Sequence, residues 1–131
     1  MDKEEIAMAD APTTEKKEAV HKKSLDAPDE TRPFGHGKME AVKVGDLAMN
    51  RLHYEPGWKW SQDVKPMAKT DRCEVLHVGY IMQGRLKIVG RDGSEGEIKA
   101  GDAFVIPPGH DAWTVGNETA ILLDVRGVPG H

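Results

Sequence analysis

Gly101-Asp102-Ala103-Phe104-Val105-Ile106-Pro107-Pro108-Gly109 is the stretch on which the fold turns. A Gly-Asp turn feeds a four-residue apolar run, and a Pro-Pro-Gly corner stops it. Some twenty residues earlier, Tyr80-Ile81-Met82-Gln83-Gly84 forms a companion segment that also ends on glycine. Working outward, residues 39–44, 46–54, 73–82, 85–89, 96–99, 103–106, 112–115 and 119–126 all read as strands. Each is short and bounded by Gly, Pro, Asp or Asn. Arg91-Asp92-Gly93-Ser94 supplies a hairpin turn whose Asp-Gly pair tolerates positive φ. No stretch beyond residue 40 shows sustained helical periodicity. Short strands with regular turn signals predict an all-β sandwich or barrel.

The chain has 131 residues, room for one domain and no second. Hydrophobic residues make up 38% and charged ones 31%, which suits a soluble domain with a small core. No apolar run approaches the ~20 residues needed to cross a bilayer. Met1-Asp2-Lys3-Glu4-Glu5 lacks the basic start and apolar stretch of a signal peptide. The single cysteine, Cys73, excludes an internal disulfide framework and suits a reducing compartment, so a cytoplasmic location is expected.

Net charge is −4 and unevenly placed. Residues 1–31 carry nine acids and five bases, leaving thirteen of each in the remainder. There is no basic stripe, so neither nucleic acid nor an anionic membrane is an expected partner. Residues 1–31 contain no aromatic residue and few apolar ones. Such a segment cannot bury enough surface to offset the entropy of ordering it. The expected division is a disordered acidic tail over 1–31 and a β-barrel domain over 32–131.

The two glycine-bounded segments resemble the paired motifs of the cupins. Gly101, Pro107 and Gly109 fall in register with the second motif, and Asp102 follows its first glycine as usual. Pro56-Gly57 begins the first motif and Gly84 ends it, with Tyr80 in the usual aromatic place. The chain is also similar to a bacterial subgroup of small single-domain cupins. Its marks here are Pro56-Gly57-Trp58-Lys59-Trp60-Ser61 and Pro107-Pro108-Gly109-His110-Asp111-Ala112-Trp113. The resemblance covers about residues 38–126. It implies a single jelly-roll barrel (a double-stranded β-helix), a ligand-sized pocket and a homodimer.

Against the cupin pattern, the usual metal ligands are displaced. Asp63 and Lys65 stand where His-x-His belongs, His77 where the glutamate belongs, and Ala112 where the last histidine belongs. His110 comes two residues before Ala112. One reading keeps Asp63, His77 and His110 as ligands of one divalent transition metal, Fe, Mn, Zn or Ni. Two objections stand against it. A two-residue shift moves a side chain ~6–7 Å along an extended chain, and Lys65 would bring an ammonium beside the cation. The other reading needs no metal: Lys65 neutralises Asp63 or holds an anionic ligand group, and His77 serves as hydrogen-bond donor or catalytic general base.

Trp58, Trp60 and Trp113, all the tryptophans of the chain, flank the two motifs. They suit either the walls of a small-molecule site or the filling of an aromatic-poor core. Cys73 lies four residues before His77, on the same face of an alternating strand. A buried thiol is ordinarily a small hydrophobe, and that is the expectation beside the alternatives of ligand and nucleophile. No phosphate loop, dinucleotide fingerprint, Cys-x-x-Cys pair or nucleophile elbow is present. Three functions follow. The first is a barrel binding a small organic ligand through Trp58, Trp60, Lys65 and Trp113. The second is a metal-dependent enzyme of dioxygenase or isomerase type, and the third a structural dimerisation module.

Overall fold

The computed structural model describes residues 19–126. Among these, β1 (Glu30–Phe34), β2 (Gly37–Val44), β3 (Leu47–Tyr54), β4 (His77–Gln83), β5 (Arg85–Val89), β6 (Glu95–Lys99), β7 (Ala103–Ile106), β8 (Asp111–Thr114) and β9 (Ala120–Arg126) form two antiparallel sheets. The larger runs β1-β2-β3-β9-β4-β7 and the smaller β6-β5-β8. The chain crosses between the sheets at Gly84, returns through residues 100–102, crosses again at 107–110 and returns through 115–119. That winding is a jelly roll, as the cupin resemblance implies. The expected strands 85–89 and 103–106 are reproduced, and most others agree within two residues.

The strands form where side chains alternate. In β9, Ala120, Leu122 and Asp124 are buried while the residues between them are half-exposed. Phe104 and Ile106 of β7, and Ala112 and Thr114 of β8, follow the same period of two. Their inward side chains meet Leu52, Tyr54, Ile81 and Leu86 in one core between the sheets. Ile81 and Ala120 have no exposed surface. Removing a core aliphatic of this kind costs about 2–5 kcal/mol.

Two expectations are revised. The tail through residue 31 lies partly outside the described residues, and within them the chain is already fastened. Glu30 pairs with Ala41, so β1 covers the edge of β2. Before it, the Asp29 amide donates to the Ala41 carbonyl at 2.9 Å, and its carboxylate accepts from the Lys43 amide at 2.9 Å. Arg51 Nη2 reaches the Leu25 carbonyl at 3.1 Å and Asp26 Oδ1 at 3.0 Å. This attachment is polar and backbone-mediated, which an apolar-content argument does not register. The second revision concerns the expected strand 73–82. It begins only at His77, because Cys73 pairs singly with His110 instead of joining β4. Two single-turn helices, Trp60–Asp63 and Lys65–Ala68, cover one end of the core. No helix among the described residues is long and apolar enough to cross a membrane.

On the outer face of β2, Glu40 is buried and its Oε1 accepts from Arg51 Nε and His53 Nε2, each at 2.7 Å. The Arg51 hydrogen bond, opposed by burial and aided by His53, lowers the Glu40 pKa to about 2. A depressed carboxylate stabilises the fold above its unfolded pKa of ~4.3, and that contribution fades as pH falls toward the folded value. Glu40→Gln is therefore expected to lose about 1–3 kcal/mol at pH 7. Urea unfolding at pH 7 and again near pH 2 should show the gap close in acid; equal stability at pH 7 would refute the cluster's role.

Candidate metal centre

The site is built where β4 begins. His77 is its first residue, and β4 and β9 bring Gly79 opposite Asp124. A side chain at position 79 would meet the Leu123 carbonyl at 1.8 Å, so glycine is what allows the strands to close there. Asp124, with no exposed surface, then receives the His77 Nδ1 hydrogen at 2.6 Å. Arg126 Nη2 donates to the same oxygen at 3.0 Å. The fixed tautomer leaves His77 Nε2 facing Cys73 Sγ at 3.6 Å.

The Pro-Pro-Gly corner delivers the second imidazole. Gly109 turns at φ 92°, with Arg91 packed where a side chain would project. The Cys73 amide then donates to the His110 carbonyl at 2.8 Å, and the Gly109 amide to the Cys73 carbonyl at 2.6 Å. These bonds hold Cys73 beside His110. A carbonyl oxygen only accepts, so the 2.8 Å contact between His110 Nδ1 and Pro107 O puts the hydrogen on Nδ1 and turns Nε2 inward. The two rings meet edge to face, 5.2 Å between centroids.

Cys73, His77 and His110 thus each offer one ligand atom, and all three atoms lie within 4.8 Å of one another. Metal bonds of ~2.0–2.3 Å in a tetrahedron space their ligands ~3.3–3.8 Å apart, so a small inward movement of His110 would close the set. A thiolate with two imidazoles suits a borderline or soft divalent ion. Each imidazole also has its far nitrogen tied, one to a carboxylate and one to a carbonyl, the usual outer support of metal-bound histidine. The residues fit a metal.

Electrostatics point the same way. Burial opposes ionisation of Cys73, yet hydrogen bonds from His110 and His77 outweigh it and lower the thiol pKa to about 6. Burial also opposes charge on His77, but Asp124 and the Cys73 sulfur raise its pKa to about 9. Asp124 stays below the usual carboxylate range, its burial offset by His77 and Arg126. Without a metal, both shifts favour a thiolate beside an imidazolium.

The other expected site residues are placed as follows. Asp63 is not brought to His77 and His110. Its carboxylate accepts from His36 Nδ1 and from the Lys59 amide, both at 3.0 Å. Lys65 faces Asp71 at 3.7 Å, neither neutralising Asp63 nor approaching the histidines. Residues 60–68 wind into helical turns, so counting in steps of two no longer follows one face there. Trp58 and Trp60 are buried in the core, whereas Trp113 lies on the opposite face of β8 under the Lys59 ammonium, 5.1 Å from the ring centroid. The interior cavity they were expected to wall is only about 30 Å³, bounded by Trp58, Trp60, His77 and His110 among others. An open groove of about 600 Å³ runs instead between β6 and β7, with Ile88, Ile98, Phe104 and Arg91 along it. Ile106 and His110 border both spaces. Sequence reasoning passed over Asp124. Its signal was an acid at a buried phase of the alternating run 120–126.

Residues 56–121 match the family model of the EutQ-like cupin domain. None of the curated proteins matches the chain in sequence. Among solved structures, the chain is similar to an RmlC-like cupin from Shewanella frigidimarina, with 18% identity, TM-score 0.57, and 85% of this chain and 96% of that one covered. The polyketide cyclase RemF from Streptomyces resistomycificus gives 15% identity, TM-score 0.57, and coverage of 82% and 78%. The oxalate decarboxylase of Lactobacillus farciminis gives 20% identity and TM-score 0.56 over 76% of this chain, which spans only 31% of that protein. At these identities the likeness is one of fold.

In chelator-treated protein, thiolate absorbance near 240 nm should titrate with a midpoint close to pH 6. His77→Ala should move that midpoint upward, toward the ~8.5 of a free thiol or beyond. A wild-type midpoint already at 8–9 would return Cys73 to the role of a buried hydrophobe.

Proposed function

The chain belongs to the EutQ-like cupin family, and on that premise we propose that it is a metal-dependent cupin acting on a small organic molecule. Its metal is one divalent transition ion held by Cys73, His77 and His110. The observation that carries this reading is the convergence of three ligand atoms within 4.8 Å, on imidazoles whose other nitrogens are already engaged. Thiolate ligation favours zinc, iron or nickel over manganese. When bound, such an ion supplies Lewis acidity toward an oxygen of the substrate. The protein's part is positional. Asp124 orients His77, the Pro107 carbonyl orients His110, and Tyr54 and Trp58, stacked at 3.9 Å, exclude bulk water behind them.

The interior is too small for an organic substrate, so the β6–β7 groove is where we place it, against the Ile106–His110 wall. A groove of about 600 Å³ falls within the usual range of small-ligand sites. Binding without catalysis is the second reading, favoured by that same groove. The outer faces of β4 and β7 leave Tyr80 at 45% and Val105 at 66% exposure, and we assign the homodimer contact to this patch. The reduced thiol at the centre of the site accords with a cytoplasmic location.

Elemental analysis of protein purified without affinity tag or chelator tests the reading. The wild type is expected to carry near-stoichiometric Zn, Fe or Ni. Cys73→Ser, His77→Ala and His110→Ala should lose it, and Asp124→Asn should bind ~10–100-fold more weakly. Asp63→Asn should keep it. A folded, metal-free wild type would refute the proposal.

A further inference from the structure

Gly96 is a residue that the fold does not explain. It lies inside β6, where a glycine weakens pairing and marks a bulge or bend, or the close approach of a ligand or another backbone. β5 and β6 pair in unbroken register from Arg85–Lys99 to Val89–Glu95, so no bulge accounts for it. Its φ is not among the positive ones. A side chain built there would meet no atom within 4 Å, so no neighbouring backbone excludes one. The space above Gly96 is open, and it belongs to the groove of about 600 Å³ between β6 and β7.

Strand phase decides which groups face that space. Gly96 pairs with Ile88 and Ile98 with the buried Leu86, so these positions turn inward, opposite Phe104 of β7. Glu95 and Glu97 take the alternate positions and are met by Lys87 at 3.1 Å and Arg85 at 3.3 Å. Asp92 folds back on the Ser94 amide and hydroxyl, at 2.9 and 2.6 Å. The groove is thus apolar along its length and cationic at one end, where Arg91 sits. Its guanidinium lies on Gly109, next to His110, and a side chain at 109 would strike it at 2.8 Å. Among the described residues Nη2 donates to Glu74 Oε2, while Nε and Nη1 donate to none. Most of this planar donor fork is therefore left for a ligand, and carboxylate is the group it matches. The acids along the rim, though paired, would repel a dianion, so a single negative charge suits the place.

We propose that the groove takes a monocarboxylate with an apolar body, which lies over Gly96 against Ile88, Ile98 and Phe104 while Arg91 holds the carboxylate beside His110. This rests on the reading of the groove as the substrate site and narrows the class of substrate. Arg91 is the specificity-determining residue. Glu74 competes with the ligand for it and keeps the guanidinium in position until a ligand arrives.

The test titrates the full-length protein, purified without chelator, with sodium hexanoate and with neutral hexanamide, following protein amide resonances. Hexanoate should bind about ten- to a hundredfold more tightly than the amide. Arg91→Gln should erase that preference, and Gly96→Leu, by filling the groove, should weaken both probes. Glu74→Gln should bind hexanoate at least as tightly as wild type, whereas loss of a merely structural ion pair would act alike from either side. All three positions are exposed, so the variants are expected to fold. The inference is overturned if wild type binds the two probes equally or binds neither, or if the preference survives Arg91→Gln. Glu74→Gln weakening hexanoate as much as Arg91→Gln would also overturn it. Metal content of the same samples keeps the two readings apart. In a metal-replete wild type those outcomes leave the centre standing; a metal-free wild type that still prefers hexanoate through Arg91 overturns the centre and keeps this subsite.

Discussion

Asp124 is a carboxylate with no exposed surface in the middle of an antiparallel sheet, and the rest of the site follows from meeting its charge. A lone buried anion would be prohibitive, so it must be paired and hydrogen-bonded. Arg126, on its own strand, satisfies part of this, and His77 supplies the short bond across the strand gap. That one bond fixes which imidazole nitrogen faces inward and raises the basicity of the ring. Hydrogen bonds from His110 and His77 in turn lower the pKa of the thiol beyond it. Charge and tautomer are thus set along one line from Asp124 to His77, and the thiol of Cys73 answers to both imidazoles, His110 first.

The backbone does the complementary work. The corner at residues 107–110 folds back against Cys73 through paired amide–carbonyl bonds, in the manner of an isolated fragment of sheet. The thiol and the second imidazole therefore approach each other by main-chain pairing, without relying on side-chain attraction. A site assembled this way is organised before any ion arrives, and ligand convergence requires only small adjustments of side chains already in place.

Much of the fold was legible because strand alternation and glycine-proline punctuation are local signals. Residues 103–106 and 85–89 show it well, since turn chemistry brackets each tightly. β1 escaped notice because its attachment is made by Asp29, Arg51 and backbone amides, and polar anchoring has no compositional signature. At the site, His77 and His110 stood out by motif position. Asp63 did as well, but counting residues presupposes an extended chain, and the helical turns over 60–68 break that count. Cys73 was visible four residues before His77 and read as filler, because its significance lies in a partner 37 positions away along the chain. Asp124 was hidden by its apolar neighbours.

The period of two in a β-strand gives the displaced histidine a further meaning. His110 and Ala112 are both buried, with the half-exposed Asp111 between them. A side chain on such a wall can change its place only in whole repeats, each ~6–7 Å; a single-residue slip would send it to the outside. The barrel interior therefore behaves as a rail with discrete stations. A centre assembled around Cys73 occupies the station next to the one a histidine at 112 would serve, reached by moving one group along the rail while the surrounding sheets keep their register.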